Sequence, residues 1–339
     1  MKKRIFLLAV PLIIMSCSDN DSYSILDDSN AISFNAITEK VPRGATTTAS
    51  TLKSFSIYAY SDNKLYMDDV TVTRVDGLWT YSPKKYWPAN PVNFYAFSPD
   101  TKGFTGETPT SAPKITNYTI NGSDLLYASN IGEIPKPQPV QINFRHALSK
   151  IDVLLASSNP DITVEVYHII VSGMNGTGTF VFPQSTTSAS SVETVGSWTN
   201  QNNPIDVMLF YAVDKASTVN LTSTPTNLTE GNLEWYFLMP QQLEDVTLSD
   251  GKLNGQYISV ECVIHDKATG SKIWPNSQTP PYQTINQSEA GKLIYPVKFG
   301  PLTEWKPGYN YVYNITIKSP KELDEIDFDV TVDEYAPYI

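Results

Sequence analysis

Apolar and polar residues alternate over short stretches of this chain, and a two-residue period is the pattern of a half-buried β-strand. The cleanest stretch is residues 325–332, where one face carries four apolar side chains: Ile326, Phe328, Val330 and Val332. Residues 256–265 repeat the pattern with Ile258, Val260, Cys262 and Ile264. No amphipathic stretch would form a helix longer than about three turns. The pattern therefore predicts an all-β protein.

A proline-rich stretch divides the predicted strands into two groups. Residues 134–139 carry a proline at every second position, and alternating prolines favour an extended segment that cannot continue a central strand. We therefore place a domain boundary here, with an N-terminal β-sandwich over residues 44–137 and a C-terminal β-sandwich over residues 138–339. A linker inside one large sandwich is the alternative.

The N-terminus has the composition of a bacterial lipoprotein signal. Three basic residues open the chain, eleven mostly apolar residues follow, and Ser16 precedes a cysteine. This order predicts a signal peptide over residues 1–16, and residues 14–17 look like a lipobox in which Cys17 is lipidated. The apolar run is shorter than the roughly 20 residues that span a membrane. A plain signal peptide with an incidental cysteine is the alternative.

Residues 17–43 form a predicted leader that ends at a candidate cleavage point. A polar segment rich in Ser and Asp is followed by a short strand with three apolar residues on one face: Ile32, Phe34 and Ala36. Arg43 and Gly44 then stand in a segment rich in Pro and Thr, and an arginine in such a loop is accessible to proteases. An ordinary loop arginine is the alternative interpretation.

Charge and cysteine content exclude several classes of function. The formal net charge of the 339 residues is −11, and it becomes −14 once the three basic residues of the signal peptide are removed. Such an acidic chain does not attract nucleic acid or an anionic membrane surface, so a lipid on Cys17 is the expected membrane link. Only Cys262 remains after Cys17, and its place on an apolar strand face predicts a buried residue rather than a nucleophile.

The sequence carries no recognisable catalytic or metal-binding motif. The three histidines, His146, His168 and His265, are far apart and lack the spacing of metal ligands. No nucleophile elbow, phosphate-binding loop or zinc-protease motif is present, so we expect neither an enzyme nor a bound cofactor. The aspartates within residues 327–333 fit the solvent face of a strand better than a calcium site.

Exposed aromatic side chains are the candidates for sugar contacts, because an aromatic ring offers a flat apolar face that can stack on a sugar. They are Trp79, Tyr86, Trp87, Trp198, Trp274 and Trp305. Trp79, Trp87 and Trp305 stand near predicted strand ends, where we expect them to fill the core. Trp198 and Trp274 stand in less regular surroundings, and these two remain candidate contacts to a sugar.

An ordered set of short segments extends over nearly the whole chain after the signal peptide. The N-terminal segments are residues 52–60, Trp79-x-Tyr81, Tyr86-Trp87-Pro88 and residues 92–99. The later segments are residues 144–151, Met239-Pro240-Gln241 and the stretch that runs from Trp305 to Tyr313. Together and in this order they resemble the fimbrillin-like lipoproteins, the subunits of type V pili in Gram-negative anaerobes.

The resemblance implies two tandem transthyretin-like Greek-key β-sandwich domains and a structural or adhesive subunit of a fimbrium. Family members reach the cell outer membrane as surface-exposed lipoproteins. In polymerising members, an Arg-specific protease removes the lipid and the first strand, and the vacated groove accepts a strand from another pilus subunit. On this sequence the resemblance assigns lipidation to Cys17, the removable strand to residues 32–36, and cleavage to the Arg43–Gly44 bond.

The resemblance leaves the donor strand and the type of subunit open. Residues 325–339 are the natural donor, with Ile326, Phe328, Val330 and Val332 filling the groove, but they could equally be the last strand of their own domain. The family also contains non-polymerising anchor and tip proteins. A surface glycan-binding lipoprotein of a polysaccharide-uptake system would share the lipid and the sandwich domains. A host protein or glycan is a further candidate partner.

Overall fold

The computed structural model describes residues 30–36, 51–108, 110–188, 195–229, 237–286, 288–318 and, for the backbone alone, 327–334. In these residues the chain forms 23 β-strands and two 3-10 turns, at Lys215–Ser217 and Pro281–Gln283, and it forms no α-helix. The prediction of an all-β protein is therefore confirmed.

The strands are numbered β1 to β23 in chain order. The first eight are β1 (Phe34–Ala36), β2 (Ser54–Ser61), β3 (Lys64–Val75), β4 (Leu78–Thr80), β5 (Val92–Ser98), β6 (Phe104–Thr105), β7 (Lys114–Thr119) and β8 (Leu126–Glu133). The next eight are β9 (Val140–Ile142), β10 (Arg145–His146), β11 (Ser149–Ser157), β12 (Ile162–Val181), β13 (Ser197–Tyr211), β14 (Val219–Asn220), β15 (Thr226–Asn227) and β16 (Phe237–Leu238). The last seven are β17 (Thr247–Ser249), β18 (Lys252–Asn254), β19 (Tyr257–Asp266), β20 (Lys272–Trp274), β21 (Gly291–Pro296), β22 (Tyr309–Ile317) and β23 (Asp327–Glu334).

A six-stranded antiparallel sheet contains most strands of the N-terminal part, in the order β10-β8-β5-β2-β3-β4. The hairpin between β3 and β4 turns at Asp76 and Gly77, whose φ angles of 51° and 83° are both positive. An Asp-Gly pair predicts such a turn, because both central residues of the favoured hairpin turn need positive φ. Next to this sheet, β1 pairs with β9 in a separate parallel pair.

The later strands form two larger sheets and one hairpin. The long strand β12 pairs with β7, β13, β14 and β19 in an eight-stranded sheet that also includes β6, β20 and β21. A five-stranded sheet has the order β15-β11-β22-β23, and β16 also pairs with β11. Within it, β11 and β22 are parallel neighbours from Lys150 opposite Asn310 to Ser157 opposite Ile317. Strands β17 and β18 form the separate hairpin.

The buried apolar side chains form two clusters. The smaller cluster, here called the N-terminal core, contains Ile32, Phe34, Leu52, Phe55, Ile57, Ala59, Met67, Val72, Trp87, Val92, Phe94, Ala96, Leu126, Ala128, Val140, Ile142 and Phe144. The larger cluster, the main core, contains the inward side chains of β11, β12, β19, β21 and β22. The alternation predicted in residues 256–265 is confirmed there, because Ile258, Val260, Cys262 and Ile264 are all 0% exposed.

The strand pairing does not follow the predicted boundary after residue 137. Residues 134–139 carry no strand, as their prolines predict. However, β9 and β10 follow this break and still pair with β1 and β8 of the N-terminal part. Conversely, β6 and β7 precede it and belong to the eight-stranded sheet through β12. The sheets therefore exchange strands across residue 137, and the division into two tandem domains stays a prediction.

Candidate functional site: the groove of the N-terminal strand

The segment 30–36 lies in a groove and makes backbone hydrogen bonds on both of its edges. On one edge, Ile32 N donates to Lys85 O at 2.8 Å, and Trp87 N donates to Asn30 O at 3.0 Å. The Tyr81 hydroxyl donates to Ile32 O at 2.8 Å, and burial raises the pKa of this hydroxyl. This edge is therefore held by a segment that lies about 50 residues further along the chain.

The other edge of the segment is held by β9. Strand β1 runs parallel to it, with Phe34 opposite Val140 and Ala36 opposite Ile142. Val140 N donates to Ser33 O at 2.8 Å. Parallel neighbours so far apart in sequence need a long connection, so this pairing is fixed by the tertiary structure and by no local turn.

Two side chains of the segment anchor it in the N-terminal core. Ile32 is 2% exposed and Phe34 is 4% exposed. The ring of Phe34 lies 5.5 Å from the ring of Tyr81 and 5.5 Å from that of Phe94, measured between centroids. Its contact with Phe94 is edge-on, which is a favourable geometry for aromatic pairs. Ala36 is half-buried, so the anchoring depends on the two larger side chains.

The groove contains unfilled space next to the segment. A cavity of about 330 Å³ is lined by Ala31, Ile32, Ser33, Trp79, Thr80, Tyr81, Lys84 and Pro137. Its walls come from the segment itself, from β4 and the loop after it, and from the proline-rich break.

Backbone hydrogen bonds and two buried side chains hold the segment in the groove. Withdrawal of the segment would leave Lys85 O, Trp87 N and Val140 N without their partners. Each buried polar group that loses its partner costs about 1–3 kcal/mol. The apolar slot left by Phe34 would add about 3–5 kcal/mol, the usual cost of truncating a buried phenylalanine. Another strand with a similar apolar pattern could restore both the backbone hydrogen bonds and the apolar packing.

The processing residues predicted from the sequence lie outside the described residues. These are Cys17, Arg43 and Gly44. Of the predicted removable strand, Ile32, Phe34 and Ala36 are all described, and they form the groove segment. Ile326 of the donor candidate is also outside the described residues.

The donor candidate pairs within its own chain. Strand β23 runs antiparallel to β22 from Tyr309 opposite Glu334 to Thr316 opposite Asp327. It stands at the end of the order β15-β11-β22-β23. The backbone of Phe328, Val330 and Val332 therefore completes a sheet of this chain, which matches the interpretation as the last strand of its own domain.

The tryptophans are mostly core residues, and one sugar-contact prediction is wrong. Trp87 and Trp305 are 6% and 2% exposed, as expected, and Trp79 packs against the N-terminal core. Trp274 is only 3% exposed. A β-carbon on Gly291 would lie 2.6 Å from its ring, so the ring is packed against backbone and cannot stack on a sugar.

Trp198 is half-buried, and its role as a sugar contact stays a prediction. Its Nε1 donates to Ala147 O at 2.7 Å, and its ring contacts Tyr118 and Phe180. It also lines a cleft of about 290 Å³ together with Gln201, Pro240, Gln242, Glu304 and other residues.

The remaining candidate chemistry is structural. Cys262 is fully buried, and burial raises the pKa of its thiol, which disfavours the reactive thiolate. The three histidines lie apart, and each has a carboxylate within 4 Å: Asp124 for His146, Glu261 for His168 and Glu165 for His265. No group of metal-binding side chains occurs in the described part of the chain. Among those same residues, no helix is long and apolar enough to cross a membrane.

Sequence reasoning missed the residues that form the walls of the groove. Tyr81 and Phe94 hold the ring of Phe34, and Val140 binds the backbone of Ser33. Tyr81 stands in the marker Trp79-x-Tyr81, so a signal was present, but nothing in the sequence linked that marker to the N-terminal strand.

Comparison with known proteins finds fimbrial relatives. The chain matches the Fimbrillin-like family over residues 43–334. It is similar to the fimbrium subunit Fim1C of Phocaeicola vulgatus, with 28% identity over an alignment of 144 residues. This alignment covers 34% of this chain and 38% of the relative, so the chain spans well under half of the length of that relative.

Two solved structures extend the comparison. A fimbrial protein from Bacteroides vulgatus ATCC 8482 superimposes with a TM-score of 0.53 at 16% identity, covering 90% of this chain and 99% of that one. A fimbrilin from Porphyromonas gingivalis W83 gives a TM-score of 0.44 at 11% identity, covering 89% and 96%. The first of these supports the all-β fold.

The described fold is all-β, and its segment 30–36 lies in a groove between β9 and the segment 81–87. The family match covers most of the chain, and the protein belongs to the Fimbrillin-like family. The match begins at residue 43, so the segment in the groove lies outside it.

Proposed function

We propose that this protein is a structural or adhesive subunit of a fimbrium and that it polymerises by strand exchange at the groove. The observation that supports this proposal is the burial of Ile32 and Phe34 in a slot whose two edges bind the backbone of the segment. A slot of this kind recognises any extended strand through the main chain and selects it through pockets for alternate side chains.

The proposed pathway begins with export as a lipoprotein. Removal of residues 1–16 and lipidation of Cys17 attach the precursor to the cell outer membrane, with the protein exposed at the surface. An Arg-specific protease then cuts between Arg43 and Gly44. The cut turns a tethered segment into a free peptide, which loses the high effective concentration that the tether provided.

The proposed partner in the vacated groove is a strand from another subunit of the same or a related type. Strand β23 is the candidate donor, because it stands at a sheet edge near the C-terminus and can detach without breaking the order of the other strands. An incoming strand restores the hydrogen bonds of Lys85, Trp87 and Val140 and refills the slot of Phe34. The proposed role involves no catalysis by this chain.

The experiment that tests the proposal is maturation of an Arg43→Ala variant. The full-length chain is exposed to an Arg-specific protease and analysed by N-terminal sequencing and by an unheated denaturing gel. We expect the wild-type chain to gain a new N-terminus at Gly44 and to form a detergent-resistant ladder, and the variant to stay intact and monomeric. Arg74→Ala is the matched control, because it removes an arginine from β3 and leaves the proposed cleavage site unchanged.

Two outcomes would contradict the proposal. Assembly of the Arg43→Ala variant at the wild-type rate would refute the cleavage assignment. A wild-type chain that is cut at Gly44 but never forms a ladder would favour an anchor or tip protein. Attachment of the precursor to membranes is tested separately with Cys17→Ser, which should abolish it.

A further inference from the structure

Three polar side chains meet on the five-stranded sheet, on the face turned away from the main core. Lys150 and Asp152 are two positions apart on β11, so they point to the same face. Asn310 on the parallel neighbour β22 lies directly opposite Lys150. The main-core residues of these strands, such as Ile151 and Tyr311, occupy the alternate positions.

The side chains of Lys150 and Asn310 both contact one carboxylate oxygen of Asp152. Lys150 Nζ lies 3.2 Å from Asp152 Oδ2, and Asn310 Nδ2 donates to the same oxygen at 3.1 Å. The other oxygen, Asp152 Oδ1, accepts a hydrogen bond from Thr229 Oγ1 at 3.2 Å. Lys150 and Asp152 are each only 4% exposed, although lysine and aspartate are among the residues that are most rarely buried.

The Asn310 amide is held through its nitrogen, which donates to Asp152 Oδ2. Asn310 Oδ1 is buried and finds no hydrogen-bond partner among the residues that the structure describes, and a buried polar atom without a partner is an exception in folded proteins. The amide nitrogen is instead turned towards the carboxylate, on the same side as the ammonium group. The cluster thus presents an amine, a carboxamide and a shared carboxylate in one desolvated place.

We propose that Lys150 and Asn310 are joined by an intramolecular isopeptide bond, with Asp152 as the proton carrier. Asp152 accepts a proton from the Lys150 ammonium, which frees the Nζ lone pair. Nζ then attacks Asn310 Cγ, the Nζ–Cγ bond forms, and the Cγ–Nδ2 bond breaks. Asp152 passes this proton, and a second proton released by Nζ, to the leaving nitrogen, which departs as an ammonium ion. Asp152 ends as a carboxylate, and the step needs no oxidant or other reactant.

The cross-link would join two neighbouring strands that are far apart in the chain. Strand β11 has β15 and β16 on its other side, and β22 has β23 on its other side. A covalent bond between β11 and β22 restricts the unfolded chain and so raises stability in the same way as a disulfide that closes a long loop. It would also keep β22 in the sheet while β23 detaches.

The test is peptide mapping by mass spectrometry of the purified full-length chain. We expect a branched peptide that joins the segments around residues 150 and 310 and is lighter by one ammonia, with no tryptic cleavage after Lys150. Lys150→Arg keeps the positive charge beside Asp152 but cannot form the amide, so it should give only linear peptides and a lower midpoint of thermal unfolding. Asp152→Asn should retain both reacting groups and slow the reaction strongly.

The wild-type chain itself provides the decisive outcome, since it folds whether or not a variant does. Linear, unmodified peptides around residues 150 and 310 after prolonged incubation of the folded chain would overturn the proposal. A branched peptide that persists in Lys150→Arg would overturn it as well, because the bond would then involve another amine. Asn310→Asp offers a positive control, because loss of water from this variant gives the same branched product.

Discussion

Truncation of Phe34 tests whether the N-terminal strand is firmly anchored and yet separable from the rest of the fold. The side chain is 4% exposed and packs against the rings of Phe55, Tyr81 and Phe94. Phe34→Ala in such a site costs about 3–5 kcal/mol. If the segment docks as a unit, the whole loss weakens its docking, and the ratio of docked to undocked segment should drop by about two to four orders of magnitude.

Amide hydrogen exchange measures this docking directly. Trp87 N and Val140 N donate to carbonyl groups of the segment, so their exchange requires the segment to leave. In the uncut chain, Phe34→Ala should accelerate the exchange of both amides by the same large factor, while amides in the interior of β22 keep their wild-type rates. Asn35→Ala is the matched control. Its side chain is exposed and loses only one bond, to Gln141 Oε1, so exchange should change by about tenfold at most.

Two results would refute this reasoning. If Trp87 N and Val140 N exchange at the same rate in Phe34→Ala as in Asn35→Ala, the aromatic slot does not hold the segment. Equal acceleration throughout β22 would mean that the segment cannot leave without unfolding the whole protein, which would remove the basis for strand exchange.

Three further predictions concern other buried side chains. In a Cys17→Ser chain, Cys262 should not react with iodoacetamide until the protein unfolds, because burial shields its thiol and raises its pKa. Equal labelling of native and denatured protein would contradict this prediction. Burial raises the pKa of Tyr311 from 10 to about 12, so the folded state favours the neutral phenol; stability should be full below pH 10 and fall towards pH 12. Urea titrations of Tyr311→Phe between pH 10 and pH 12 should show a smaller loss of the free energy of unfolding with rising pH. An unchanged pH dependence would mean that other groups cause it. Trp274→Ala should lower the free energy of unfolding by about 3–5 kcal/mol. It should leave binding to a glycan array unchanged, and Trp198→Ala is measured beside it because Trp198 remains the candidate sugar contact.

Burial on strands could be predicted from the sequence because alternation records which face is inside. The positions on β19 that include Cys262 and Ile264 were assigned correctly for this reason. Trp274 was not, because it precedes a proline in a segment rich in Pro and Gln and looks like a loop residue. Its ring packs against Gly291, where a side chain would leave no room for it. Gly291 pairs with Thr284 in an isolated β-bridge, a contact that the sequence does not reveal.

Pairing partners could not be predicted in the same way. Strand β1 was recognised from Phe34 and its neighbours, but no turn connects it to β9, and three residue pairs carry too little local information to set a register. The prolines before Val140 correctly indicated a break in pairing. They did not show that the chain returns to the N-terminal strand after the break, because that depends on the shape of a groove built by distant residues.

The two ends of the chain differ in what strand exchange must break. The N-terminal segment gives up three residue pairs with β9 and the bridge between Ala31 and Tyr86, whereas β23 would give up its whole ladder with β22, from Asp327 to Glu334. The proposed donation of β23 can therefore be blocked with a disulfide across this ladder. Val312 and Thr331 are opposite each other, and opposite residues in antiparallel strands have Cα atoms about 4.5–5.5 Å apart, which is within the range that a disulfide bridges.

The double variant Val312→Cys/Thr331→Cys should be cut normally by the protease, remain monomeric when oxidised, and polymerise when the disulfide is reduced. The control is Thr247→Cys/Asn254→Cys, which joins opposite exposed residues of the β17–β18 hairpin and should polymerise in both states. If the oxidised β22–β23 variant polymerises as fast as the reduced one, β23 remains in its own sheet in the polymer. The groove must then be filled by another segment, and the long ladder of β23 would be the physical reason that it is retained.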